Sequence, residues 1–320
     1  AGKTEATKVC LSFMQAVAGN TRATAVAVSA KLMQTNPILE SLGNAKTVRN
    51  NNSSRFGKLL DVQFDQSGEM IGARIVTYLL EKPRVCSHAA GERGFHSFYM
   101  LTKATSTSEQ LSLEGWESFR TLKNEGTAED ALPSWNDKLS FVQMHEALTT
   151  LGFTETKRME LYTMLGIVLH LGNIDFIEDG DGGASIGNRK LLELCEQLLK
   201  VDQGALETAL CSRSLGSSIE VIKVPLSVHQ ASIVRNALCM HLYGLAFDWC
   251  IAEINTSIAV ADEATSMGVL DIFGFENFEV NSFAQLCINY TNETLHQLFI
   301  NHIFKLEQAE YVAQGLEWQG

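Results

Sequence analysis

A short apolar run, Val269 to Phe273 after Gly268, leads into Asp271-Ile272-Phe273-Gly274-Phe275-Glu276, and no other feature restricts the fold as much. An apolar run of this length reads as a buried strand in a mixed sheet. A carboxylate at the end of such a strand, with a glycine close behind, can support a metal shell and offer a backbone N–H to a phosphate. Far upstream stands a polar block, Asn44 to Lys58, that ends in Ser53-Ser54-Arg55-Phe56-Gly57-Lys58. Ser53 and Ser54 carry hydroxyls of the kind that bind Mg2+ or position water, and Asn50 and Lys46 suit phosphate oxygens. Arg55 is always charged and suits bidentate pairing with a carboxylate. The chain opens with Gly2-Lys3-Thr4, followed by Ala6, Val9, Cys10, Phe13, Met14 and Val17 at helical spacing. Gly-Lys-Thr directly before a helix is the context in which a lysine meets phosphates and a threonine meets the metal.

The remaining pattern is mixed. A second helix is predicted from about residue 21 to 34, broken by Asn36-Pro37. Leu59 to Phe64 and Ile71 to Leu80 read as two strands of a hairpin around Asp65-Gln66-Ser67-Gly68. From about 105 to 260 the sequence is mostly helical, with helices over 157–171, 189–201 and 227–258, a loop at Gly180 to Gly183, and strand character from Ile219 to Val224. Ser282 and Gln285 have capping-box form. A long helix is predicted behind them to about Gln314, with Phe283, Leu286, Tyr290, Leu298, Phe299, Ile303 and Leu306 on its apolar stripe.

In order and wording these three segments resemble the P-loop, switch I and switch II of the myosin motor domain. The resemblance extends to Thr77 to Arg84, Gly91 to His96, Leu169 to Asn173, Phe247 to Trp249, Ile288 to Glu293 and Phe304 to Glu307, and so runs along essentially the whole chain. It implies an α/β fold: a P-loop NTPase-type central mixed sheet, a large helical insert equivalent to the upper actin-binding subdomain, and a long relay-type helix. It assigns 1–100 to the nucleotide-binding core, 101–265 to the helical actin-binding part and 266–320 to switch II and the relay helix. It implies an ATP-driven cytoskeletal motor that hydrolyses MgATP on actin filaments in the cytoplasm. Gly2, Lys3, Thr4, Asn50, Ser54 and Asp271 would surround the nucleotide. Thr4 and Ser54 would hold Mg2+ directly, with Asp271 one shell further out. Ser53 and Gly274 would lie near the reacting group, and Arg55 would close a gate with Glu276. Light chains or calmodulin are expected on a neck outside this stretch, which the resemblance makes a piece cut at both ends of the motor. The alternative is an inactive fragment that keeps part of the actin-facing surface. A kinesin-like motor is disfavoured, since such motors lack the Asn44–Lys58 block and the long helical insert.

The sequence departs from the family's usual wording at Asn236 to Met240, where Asp-Ala-Leu-Ala-Lys is usual, at Thr294, where Lys is common, and at Gly94, where Asn is usual. In some myosins a control position sixteen residues before the Asp-Ala-Leu-Ala segment is acidic or phosphorylatable. Counting back from Asn236 lands on Glu220, with Ser217 and Ser218 close by. A net charge of −12 without a lysine-arginine run argues against nucleic acid and anionic membranes as partners. No apolar run is expected to reach the ~20 residues of a membrane span. The seven cysteines stand singly, without metal spacing, and read as reduced core thiols.

Overall fold

The computed structural model describes residues 2–17, 23–123, 135–180, 182–216, 221–277 and 281–316. Asp181, Ser217, Ser218 and Glu220 lie outside the described residues. The chain divides into two units, 1–271 and 272–320.

The first unit begins with α1 (Lys3–Val17) and α2 (Ala23–Gly43). The break expected at Asn36-Pro37 does not occur, because α2 runs through Pro37 to Gly43. Proline removes the amide hydrogen bond to the Met33 carbonyl. Beyond it Ile38, Leu39 and Leu42 are almost fully buried, and that burial, about 1.5–3 kcal/mol per side chain, holds the last turns helical. Gly43 ends the helix against the Phe56 ring so closely that a Cβ there would overlap it.

Two short strands, β1 (Asn44–Ala45) and β2 (Ser53–Ser54), then pair antiparallel. The hairpin predicted from the alternating pattern forms as β3 (Gly57–Phe64) and β4 (Met70–Tyr78). In its turn the Asp65 carboxylate accepts from the amides of Ser67 and Glu69, and Gly68 takes a positive φ of 78°. A 3-10 turn, Lys82–Val85, leads through α3 (His96–Thr102) and α4 (Thr105–Gln110) to α5 (Asp137–Thr150) and α6 (Glu155–Gly172). A small hairpin follows, β5 (Phe176–Glu178) and β6 (Ala184–Ile186), then α7 (Arg189–Leu199) and α8 (Ala205–Cys211). A further hairpin is made of β7 (Ser212–Gly216) and β8 (Val221–Pro225).

Helix α9 (Val228–Ile258) begins with a full capping box between Ser227 and Gln230 and is the axis of the unit. It packs on α2, α6, β4 and the 3-10 turn. By length and composition it is apolar enough to cross a membrane, contrary to the sequence expectation. Here its apolar side is spent on the core, with Cys239, Tyr243, Phe247, Cys250 and Ile254 nearly fully buried. It also ties down distant parts of the chain. The Tyr243 hydroxyl donates to the Leu42 carbonyl at 2.6 Å. The Asn255 amide pairs with both backbone groups of Ile75 at 2.8 Å, as a neighbouring strand would, and so covers the β4 edge. Gln63 exchanges two hydrogen bonds with the Val260 backbone.

The unit closes with β9 (Thr265–Asp271), paired antiparallel to β3, so the sheet order is β4-β3-β9. Every pairing among the described residues is antiparallel, so the mixed sheet expected from the sequence is not seen among them, and β9, expected to be buried, is an edge strand largely exposed up to its buried last residue, Asp271. In the second unit Ser282 caps α10 (Phe283–Ile300), its hydroxyl accepting from the Gln285 amide. The long helix of the sequence reading runs on without a gap from Phe283 to Ala313, with a π turn at Asn301–Lys305 between α10 and α11 (Leu306–Ala313).

Candidate functional site

The two polar segments that stand far apart in sequence leave the same end of the sheet. β3 starts at Gly57, just after Arg55, and β9 ends at Asp271. Because the strands are antiparallel, Lys58 lies opposite Asp271 in register. The Lys58 ammonium is 3.6 Å from the Asp271 carboxylate, and both side chains are largely buried. Lys58 also lines a small cavity with Thr7, Leu11, Asn36 and Leu60. Thr7 sits one turn into α1, beyond Lys3 and Thr4, and α1 packs on α2 and β9. Gly2 precedes the helix at a positive φ of 99°, and its carbonyl accepts from the Ala6 amide at 2.8 Å.

The β1–β2 pairing folds the Asn44–Lys58 block onto itself. Asn52 holds the loop: its side-chain amide donates to Glu40, and its carbonyl oxygen accepts from the Asn44 side chain at 2.8 Å. Asn50 is exposed on the same loop, exchanging backbone hydrogen bonds with Thr47 while its side-chain oxygen accepts from the Asn52 amide. Lys46 reaches the Gly91 carbonyl at 2.6 Å, which anchors the base of the loop to the 91–96 segment. Ser53 and Ser54 are half-buried. The Ser54 hydroxyl donates to the Phe56 carbonyl at 2.9 Å, and the Ser53 oxygen accepts from the Arg55 guanidinium at 3.3 Å.

Arg55 is 2 % exposed. Its Nε donates to Glu81 at 2.7 Å, and Arg84 Nε donates to the same carboxylate oxygen at 2.6 Å. Arg84 also bridges to Glu92 at 2.9 Å, and Glu92 accepts from the Val48 amide in the loop. Burial would raise the Glu81 carboxyl, but Arg84 and Arg55 outweigh it and hold it below its usual range. This chain of charges ties the Ser53–Arg55 strand to the 3-10 turn and the 92–93 segment. Glu81 is the member that sequence reasoning missed. It lies within the quoted Thr77–Arg84 segment, but its link to Arg55 spans 26 residues and has no local pattern.

Gly274 and Glu276 belong to the second unit, where the backbone around Glu276 is fastened to α10. The Glu276 amide donates to the Asn289 side chain at 3.0 Å, and the Glu276 carbonyl accepts from Asn289 at 2.7 Å and from Gln285 at 3.2 Å.

At this sheet end β3 begins just after the Ser53–Arg55 segment and β9 ends in Asp271, and α1, which opens on Lys3-Thr4, packs on β9; the protein is one of mixed helix and sheet. The family model described as "Myosin head (motor domain)" matches residues 1–320. Similar proteins include "Myosin-1" of Malassezia globosa, 42% identical over 99% of this chain and 25% of its own length. "Unconventional myosin IC" of Drosophila melanogaster is 42% identical over 99% of this chain and 31% of its own. "Myosin IB heavy chain" of Dictyostelium discoideum is 39% identical over all of this chain and 30% of its own. The chain belongs to the myosin head (motor domain) family, and it spans about a quarter to a third of the relatives it matches.

Proposed function

We propose that this chain is the nucleotide-sensing and actin-facing part of an actin-binding motor driven by MgATP hydrolysis. The observation that carries the reading is the register of β3 on β9, which sets Lys58 against Asp271 at the sheet end where the Ser53–Arg55 segment leads into β3. The residues offered to a metal, Thr4, Ser54 and Asp271, are all oxygen donors, the set a hard cation such as Mg2+ takes. Ser54 gives its proton to the Phe56 carbonyl, which leaves its lone pairs for a cation.

Mg2+, when bound with ATP, supplies charge neutralisation at the phosphates. In this reading Lys3 places a point charge on them, Asn50 adds a polar contact, and Gly2 lets the backbone approach. Thr4 and Ser54 hold the metal, and Asp271 orients its outer shell. Ser53 and the Gly274 amide orient the attacking water. Arg55 and Glu276 close the site behind it, which is catalysis by positioning and electrostatics. The Glu276 backbone, fastened to Gln285 and Asn289, carries any shift of this segment into α10. The helical region 101–265 is the part read as facing actin filaments in the cytoskeleton, and a neck with light chains or calmodulin lies outside it.

The test uses the intact motor. Ser54→Ala and Asp271→Asn are each expected to remove Mg-dependent ATP turnover, and Glu276→Gln to spare ATP binding while stopping hydrolysis. The parent protein should co-sediment with actin filaments and leave them on addition of ATP. Turnover left unchanged in the Ser54 and Asp271 variants, with normal folding, refutes the site.

A further inference from the structure

Cys86 directly follows the 3-10 turn Lys82–Val85, and its thiol donates to the Asn236 carbonyl on α9 at 3.5 Å. Cys239 lies one turn further along that helix. Helical side chains lean back toward the N-terminus, so the Cys239 sulfur shares the notch that receives Cys86. The Cys239 thiol also reaches the Val168 carbonyl of α6 at 3.8 Å. The two sulfurs differ in setting: Cys86 is half-buried, whereas Cys239 is 1 % exposed. Arg235, on the same stretch of α9, is pinned by the Ile174 carbonyl at 2.7 Å and by the Asn236 side chain. The Cys239 thiol, then the Arg235 and Arg120 guanidiniums, hold the Cys86 thiol below its usual value against the opposing effect of burial. Cys239 is pushed the other way, by Cys86 first and by burial next. Burial also pushes Cys195 and Cys250 up to about 12 and Cys211 up to about 11. Cys239 falls in the segment where the chain departs from the family's usual wording.

We infer that Cys86 and Cys239 form a hydroperoxide-responsive dithiol, Cys86 being the attacking sulfur and Cys239 the resolving one. The Cys86 thiolate attacks one peroxide oxygen, the O–O bond breaks, and Cys86 becomes a sulfenic acid. The leaving oxygen takes a proton from solvent and departs as water, or as an alcohol from an organic hydroperoxide. Cys239 then attacks the Cys86 sulfur. The S–S bond forms, the S–O bond breaks, and the second oxygen leaves as water with the Cys239 proton. Two thiols have lost two electrons, and the peroxide has gained them. A thiolate attacks and a buried partner resolves, the ordinary order of such chemistry. The new bond would fasten the 3-10 turn to α9. That turn carries Arg84, whose partner Glu81 grips Arg55.

The inference does not depend on motor activity, and neither does its test. The intact protein is reduced, freed of reductant, exposed to graded hydrogen peroxide, denatured in alkylating agent and digested for mass spectrometry. The expected product is a Cys86–Cys239 cross-linked peptide pair, lighter by two hydrogens and lost on treatment with dithiothreitol. Cys239→Ser should lose the link and leave a sulfenic acid at Cys86 that dimedone captures. Cys86→Ser should lose both signals. The parent protein decides the matter alone should either variant fold poorly. A sulfenic acid at Cys86 that never resolves, a link between other cysteines, or oxidation at Cys10 while Cys86 and Cys239 stay reduced overturns the inference.

Discussion

Arg55 shows how a buried charge is shared. Its guanidinium and that of Arg84 converge on one Glu81 oxygen, and Arg84 spends its remaining reach on Glu92 and the Arg93 carbonyl. Two cations on two carboxylates leave little uncompensated charge inside. Removing one carboxylate charge breaks that balance. Glu81→Gln is therefore expected to destabilise the fold by about 2 kcal/mol or more, below the roughly 3–5 kcal/mol of a fully severed buried pair, because the amide still accepts hydrogen bonds. Urea unfolding of both proteins measures it, and an unchanged midpoint contradicts it. Glu81 also decides how the proposed Arg55–Glu276 gate is tested. Arg55→Glu would set a second carboxylate against Glu81 and disturb the fold itself, so Glu276→Gln isolates the gate more cleanly. At this scale the motifs in the sequence single out Ser53, Ser54, Arg55 and Asp271 as candidates. They do not show what Arg55 touches, because ion pairs formed across long chain separations leave no periodic trace.

Elements follow local rules until burial overrides them. The β3–β4 hairpin, the α9 capping box and the Ser282 cap all form where their sequence signals stand. The Asn36-Pro37 signal is just as legible, yet α2 continues, because three apolar side chains beyond Pro37 are drawn into the core. Pro37→Ala should restore the amide donor to the Met33 carbonyl and raise stability, by at most the ~3 kcal/mol that an interior proline costs. A lower melting temperature in that variant would mean that the proline's bend is itself required. The π turn at 301–305 has no such local signal: Asn301-His302-Ile303-Phe304-Lys305 holds neither glycine nor proline to mark it. In α10, Asn289 both accepts from and donates to the Glu276 backbone. Asn289→Ala is expected to speed hydrogen exchange at the Glu276 amide, and exchange at the parent rate would show that this clasp opens freely.

Across the whole molecule, acid should loosen the fold earlier than carboxylate titration alone predicts. Burial depresses His88, His96, His145 and His170, assisted by Arg84 at His88, by Arg93 and Arg84 at His96 and by Arg158 at His145. His96 stacks on Trp135, ring centroids 4.1 Å apart, and neither ring nitrogen has a hydrogen-bond partner among the described residues. Histidines with lowered folded values bind fewer protons in the fold than in the open chain. Their contribution is complete above the unfolded value near 6.5 and is lost as pH falls below it. Glu81, lowered as well, adds a loss further down, from its ordinary 4.5 toward its folded value. Unfolding free energy should thus decline between about pH 7 and pH 5, and His96→Phe, which keeps the stack without the titration, should flatten part of that slope. A variant as pH-sensitive as the parent would place the effect elsewhere. Net charge and motif order were readable from the sequence at this scale. The gathering of early and late segments was not, because it depends on packing.

That gathering has a consequence in time. Leu42, Gln63 and Ile75 find their partners in Tyr243, Val260 and Asn255, each roughly 180 to 200 residues later in the chain. A ribosome adding about 5–20 residues per second needs roughly 10–40 s to bridge such a gap. Through that interval the nascent hairpin has its edge bare and its apolar side unclad. Newly made chains should therefore rely on a holding chaperone until α9 emerges, and slower codons between positions 80 and 228 should lengthen that dependence.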